Sequence, residues 1–130
     1  MISYIADILK TSYPTYAIYS ETVEQTFIRP CFFVKKINGS GKRVMGNKFE
    51  LKNIYSIEFF PIKTDNTEKE QCLEVEDTLY EVLDTVNNVH TANMDAVINT
   101  DVLVFTFDLD YTVKLEEEEV EDMEIISIKY

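Results

Sequence analysis

The chain has 130 residues with 24 acidic against 12 basic side chains, and its net charge of −12 repels phosphate and acidic membrane surfaces, which argues against nucleic-acid binding. A hydrophobic share of 45%, with eight Tyr and eight Phe, supplies the apolar area for one folded core and excludes global disorder. Asp7 breaks the N-terminus where a signal peptide needs an apolar run, no 18 apolar residues are consecutive, and Cys31 and Cys72 lack CxxC spacing, so a soluble cytoplasmic protein with two small buried thiols is expected.

Ile2, Ile5, Ile8 and Leu9 recur at spacings of three and four, which predicts a short amphipathic helix ending before Tyr13-Pro14. Tyr16 to Tyr19 is β-prone and brief, and a polar connector from Ser20 to Gln25 leads to Arg29-Pro30, where Pro suits the start of a strand. From Cys31 a longer strand is predicted. Its consecutive Phe32, Phe33 and Val34 imply cover on both faces near the start, fading towards Lys35 and Lys36.

Asn38-Gly39-Ser40-Gly41 carries a turn signal, with Lys42 to Lys48 as the polar tip of a hairpin. The return strand is predicted from Phe49 to Phe60, with Leu51, Tyr55, Ile57 and Phe59 on one face and Lys52, Ser56 and Glu58 on the other. Thr67 and Glu70 have the spacing of a capping box, opening a helix expected to run to about Val86. Cys72, Val75, Leu79, Val82, Leu83 and Val86 form its apolar stripe.

The last two strands are predicted over His90 to Asn99 and Val102 to Leu115, joined by a hairpin turn at Asn99-Thr100-Asp101. Phe105, Phe107, Leu109, Tyr111, Val113 and Leu115 alternate with polar residues, the pattern of a strand buried on one face. These elements sum to an α+β fold with a mainly antiparallel sheet of four to five strands and two amphipathic helices packed on it. One domain is expected over residues 1–115. An acidic C-terminal extension follows over residues 116–130, in which Glu124 to Tyr130 reads either as an added strand or as a loose tail.

No catalytic constellation emerges from the residues. His90 is the single imidazole, and Gly39-Ser40-Gly41-Lys42 lacks the first Gly and the final Ser or Thr of a phosphate-binding loop, which favours a turn. Asp108 and Asp110 share a strand face and could act as an acid and base pair or hold a divalent ion near Glu116, but a solvated face explains them as well. No cofactor and no metal site is expected.

Charge placement is more informative. Lys35, Lys36, Lys42, Arg43, Lys48 and Lys52 face one acid, Glu50, within their stretch, whereas Asp108 to Glu124 holds nine acids, among them Asp108, Asp110, Glu116, Glu117, Glu118 and Glu119, and one base, Lys114. A basic arm and an acidic end suggest head-to-tail contact between copies. Two unrelated solvated patches would give the same pattern.

The order and spacing of three stretches resemble one family. They are Phe27-Ile28-Arg29-Pro30-Cys31-Phe32-Phe33-Val34, then Met45-Gly46-Asn47-Lys48-Phe49 with Tyr55 to Pro61, then Cys72 to Tyr80. They look like the tail terminator proteins of contractile-tailed bacteriophages, defective prophages and phage-tail-like bacteriocins of Gram-positive bacteria. The resemblance covers about residues 1 to 115, and the segment from Glu116 to Tyr130 departs from it.

What the resemblance implies is a non-enzymatic subunit that forms a homo-hexameric ring on the last ring of the tail tube, stops tube growth and docks the top of the sheath or a neck or connector protein. It implies assembly in the host cytoplasm, no membrane, and, in a phage, DNA passing an acidic lumen without specific binding. The basic arm and the acidic segment are the expected contact surfaces. The competing expectation is a soluble binding module or inhibitor whose acidic surface occupies a basic partner.

Overall fold

The structure, a computed structural model, describes residues 1–20, 28–64 and 66–114. The elements are α1 (Ile2–Ser12), β1 (Ala17–Tyr19), β2 (Cys31–Met45), β3 (Lys48–Phe60), α2 (Glu68–Val82), β4 (Thr85–Val86), β5 (Val89–Asn99) and β6 (Val102–Lys114). They form an α+β domain with one six-stranded sheet in the order β1-β2-β3-β6-β5-β4. The expected four to five strands are therefore corrected to six. The sheet is also mixed, because β1 pairs parallel with β2 while every other pair is antiparallel.

Strand pairing sets the two faces of the sheet. Phe59, Ile57 and Tyr55 of β3 lie opposite Leu103, Phe105 and Phe107 of β6, and Phe32 and Val34 of β2 flank them on the other side. Both helices cover this face, with Ile5 and Leu9 of α1 and Cys72, Val75 and Leu79 of α2 fully or almost fully buried against it. Each apolar side chain removed from water here contributes about 1.5–3 kcal/mol, which the ordering of the chain largely offsets. Tyr13 and Tyr16, just past α1, pack against Phe32, the first tilted at 5.2 Å and the second stacked at 5.9 Å, and so close the core at the β1 side.

Three local expectations are revised. Asn38 to Gly41 is not a turn, because β2 runs on through it in register with Ile54 to Leu51 of β3. The glycines serve close approach instead. A Cβ on Gly39 would come within 2.6 Å of Lys36 Cε and 3.1 Å of Asn53 Oδ1, and one on Gly41 within 3.0 Å of Leu51 Cδ2. The chain reverses at Gly46-Asn47, between the paired Met45 and Lys48, where Gly46 takes φ +59° as a glycine-first hairpin turn requires.

The second helix ends at Val82, short of Val86. Asn87 and Asn88 both take positive φ, 50° and 66°, and the tight turn they build pairs Val86 with Val89, so Val86 enters the core from a strand rather than from the helix. The capping box is also not formed. Thr67 is the N-cap but makes no side-chain bond to the helix amides, and the Thr64 amide donates to Glu68 Oε2 at 3.1 Å instead. Gln71 further ties the entry by bonding both the amide and the carbonyl of Ile62 at 3.0 Å.

The turn expected after Asn99 is present, with Thr100 and Asp101 at φ 50° and 63° joining β5 to β6. Of the polar connector expected from Ser20 to Gln25, residues 21–25 lie outside the described residues, as do Leu115, the last residue of the final predicted strand, and the whole extension 116–130.

Candidate functional site

The two helices leave two regions of the sheet without helical cover. One is an arm in which β2 past Val34 is exposed throughout while pairing with β3 and, through it, with the end of β6. Nine residues from Ile37 to Met45 at ~3.3 Å each extend this arm by roughly 30 Å. The other is the sheet face turned away from the helices, where β3 places Glu50, Lys52, Ile54 and Glu58, partly or fully exposed, together with a buried Ser56.

All six cations expected to mark the basic arm lie on β2 and β3. Lys35 Nζ sits 3.5 Å from Glu58 Oε1 across the two strands, a half-exposed pair worth at most about 1 kcal/mol. Lys42 stands opposite Glu50. Arg43 lies over the Phe49 ring at 4.7 Å and donates to the Gly46 carbonyl at 2.6 Å, so this side chain staples the hairpin tip. Lys36 crosses over Gly39, and Lys48 is directly opposite Lys114.

The acidic residues are placed differently from the sequence expectation. Asp110 pairs in register with Lys52, and Asp108 lies two residues along the same strand, where it accepts a 2.6 Å bond from Asn93 Nδ2. Antiparallel pairing of β3 with β6 thus brings the near part of the acidic stretch alongside the basic arm, where sequence distance suggested separate ends. Asp108 and Asp110 do share a face, but the Asn93 bond and the Lys52 neighbour give each a structural partner. Glu116, Glu117, Glu118 and Glu119 lie outside the described residues.

Among the described residues, no group of three or more His, Cys, Asp or Glu side chains is placed to hold a metal ion. His90 is exposed on β5. Burial pushes the Cys31 thiol up to about 11 and raises that of Cys72, so both are protonated at neutral pH and poor nucleophiles. A shallow depression between α1 and the end of α2 is lined by Asp7, Ile8, Thr11, Ser12 and Val82, which offers a single ionisable group and no acid and base pair. No described helix is long and apolar enough to cross a membrane.

Sequence reading missed an aromatic group on the helix-free face. Tyr19 stacks on Phe33 at 5.1 Å, Phe33 meets Phe60 edge-on at 5.1 Å, and the Arg29 guanidinium lies 5.3 Å over Phe60. Phe33 and Phe60 were legible as apolar residues, but their meeting depends on the β2 and β3 register. Exposed Ile37, Val44 and Met45 on the arm and Val97 on β5 add apolar surface outside the core formed by the described residues.

A family described as phage tail terminator protein matches residues 1–121. Curated proteins gave no match.

Proposed function

This chain belongs to the phage tail terminator protein family, and from that premise we propose that it forms a ring on the last ring of the tail tube and ends tube growth there. Its role is structural and its place is the tail. The finer reading is a hexameric ring in a contractile tail or tail-like particle, assembled in the bacterial cytoplasm, that also docks the top of the sheath or a neck protein.

The observation that carries this reading is the family match over residues 1–121. Three features support it. The arm presents Lys35, Lys36, Lys42, Arg43, Lys48 and Lys52 with exposed apolar residues beside them, which is the mixture that protein contacts use. Asp108 and Asp110, with the acidic residues 116–119, supply the opposite charge. The net charge of −12 would keep DNA phosphates from sticking inside a ring if the particle carries DNA.

Negative-stain imaging of the purified protein mixed with its tube protein tests the reading. Rings seated on one end of each tube are expected, and the double reversal Lys42→Glu with Arg43→Glu should leave most ends bare. A persistent monomer bound instead to a basic partner would favour the acidic binding module. Uncapped tubes in the presence of correctly folded wild-type protein would overturn the ring.

A further inference from the structure

The hairpin tip between β2 and β3 is built unlike an ordinary exposed turn. Surface turns usually carry polar side chains, yet Val44 and Met45 stand 55% and 74% exposed, and Met45 is the most exposed large apolar side chain among the described residues. The tip is also held in one shape. Gly46 at φ +59° makes the turn, and the Arg43 guanidinium lies over Phe49 while donating to the Gly46 carbonyl. A knob fixed before it meets a partner loses less entropy on binding. Register gathers cations around it: Lys42 and Arg43 on β2, Lys48 on β3 and Lys114, opposite Lys48, on β6, with Glu50 as the one acid among them.

A complementary hollow lies on the body, far from this tip. The depression lined by Asp7, Ile8, Thr11, Ser12 and Val82 has a volume of about 420 Å³, with Ile8 and Val82 as its apolar part. Val82 is the last residue of α2, whose final turn holds no basic residue to balance the partial negative charge of its terminal carbonyls. Asp7 in the wall, with Glu81 and Asp84 close to Val82 in the chain, adds up to three carboxylates against Lys10 in the last turn of α1. The tip cannot reach the hollow of its own chain. Tyr13, just past α1, packs on Phe32, and roughly 40 Å of strand separates Phe32 from Met45, paired with β3 throughout.

From this match we infer that the tip seats Val44 and Met45 in the hollow of a second copy of this chain, with Lys42 and Lys48 facing its carboxylates. The inference rests on the ring reading above and names the contact that would join neighbouring subunits. Knob and hollow are different surfaces of one chain, so each copy offers both, and such a head-to-tail contact closes into a ring when its rotation allows. Apolar floor meets apolar knob, and negative rim meets positive. Glu116 to Glu119, which follow Lys114, are the rival for these cations within the chain.

Crosslinking between copies tests it. Protein carrying Met45→Cys, mixed with protein carrying Thr11→Cys, assembled on tubes and treated with a short bismaleimide, should give covalent dimers on a denaturing gel. One chain carrying both substitutions should give a ladder of oligomers. Each single variant by itself should stay monomeric, since native Cys31 and Cys72 are buried. Val44→Cys with Ser12→Cys is the substitute pair if Met45 is needed for assembly. Assembled protein that gives no crosslinks with either pair would overturn the contact, and so would oligomers from Met45→Cys alone, which would show tip meeting tip.

A second measurement needs no substitution. Met45 should oxidise several-fold more slowly in assembled protein than in the dilute subunit, read by peptide mass spectrometry after mild peroxide. Met45 already protected in the dilute subunit would assign its cover to the same chain and would overturn the inference. Rings or capped tubes in which Met45 stays fully reactive would overturn it and leave the ring reading standing. Unsubstituted protein that forms neither rings nor caps would overturn the ring and this contact together.

Discussion

Asn53 is the one amide buried in the apolar face of β3, and its position explains a choice that hydrophobic patterning alone would not make. Its Nδ2 donates to the Leu109 carbonyl at 3.2 Å, directly across the β3 and β6 pair, while Gly39 opposite leaves room for its Oδ1. A one-residue slip of β3 on β6 would break this bond and strand a buried polar group, so the residue pins the register. Asn53→Ala is expected to lower unfolding free energy by about 1–3 kcal/mol in urea titrations, and an unchanged midpoint would count against the pinning role.

Glu68 makes a second residue-scale case. Hydrogen bonds from its own amide and from the Thr64 amide hold its carboxyl below the ordinary value of 4.5. A depressed folded value means that the carboxylate stabilises the fold above pH 4.5 and that this contribution is lost as pH falls through the lower folded value. Glu68→Gln should therefore be less stable than the parent at pH 6 and converge with it under acid conditions. A stability gap that stays constant across that range would contradict the assignment.

At the scale of elements, the strands with one clear apolar row were legible and the interruptions were not. Phe105, Phe107 and Leu109 alternate with polar residues and are buried as the period of two requires. Gly39 and Gly41 misled because glycine signals a turn and close packing equally well, and only the neighbouring Lys36, Asn53 and Leu51 decide between them. Val86 fitted the apolar stripe of α2 by spacing, yet Asn87-Asn88 is a tight-turn pair, and the turn prevailed because Val86 can reach the same core from β4. Asn88 at φ 66° should resist a β-branched substitute, so Asn88→Val is expected to cost about 1–2 kcal/mol and Asn88→Gly little, read by thermal unfolding. Equal effects of the two would dissociate the turn from the stability of the β4 and β5 hairpin.

Among the described residues, the molecule is a sheet with both helices on one face and an arm that extends beyond them. The candidate surface was partly visible in the sequence, since all six cations from Lys35 to Lys52 do lie on the β2 and β3 arm. The neighbourhood of Lys52 and Asp110 was not, because sequence distance is blind to the antiparallel pairing of β3 with β6. That pairing puts the two patches side by side on one arm rather than at two ends.

The central claim is that copies of this chain close over the end of a tail tube and stop it growing. Tube protein polymerised with increasing amounts of this chain, and measured for length by electron microscopy, tests it most directly. Mean length should fall as the ratio of this chain to tube protein rises, with one end of each tube refusing further subunits. Tubes that keep the same length distribution at every ratio would contradict the account.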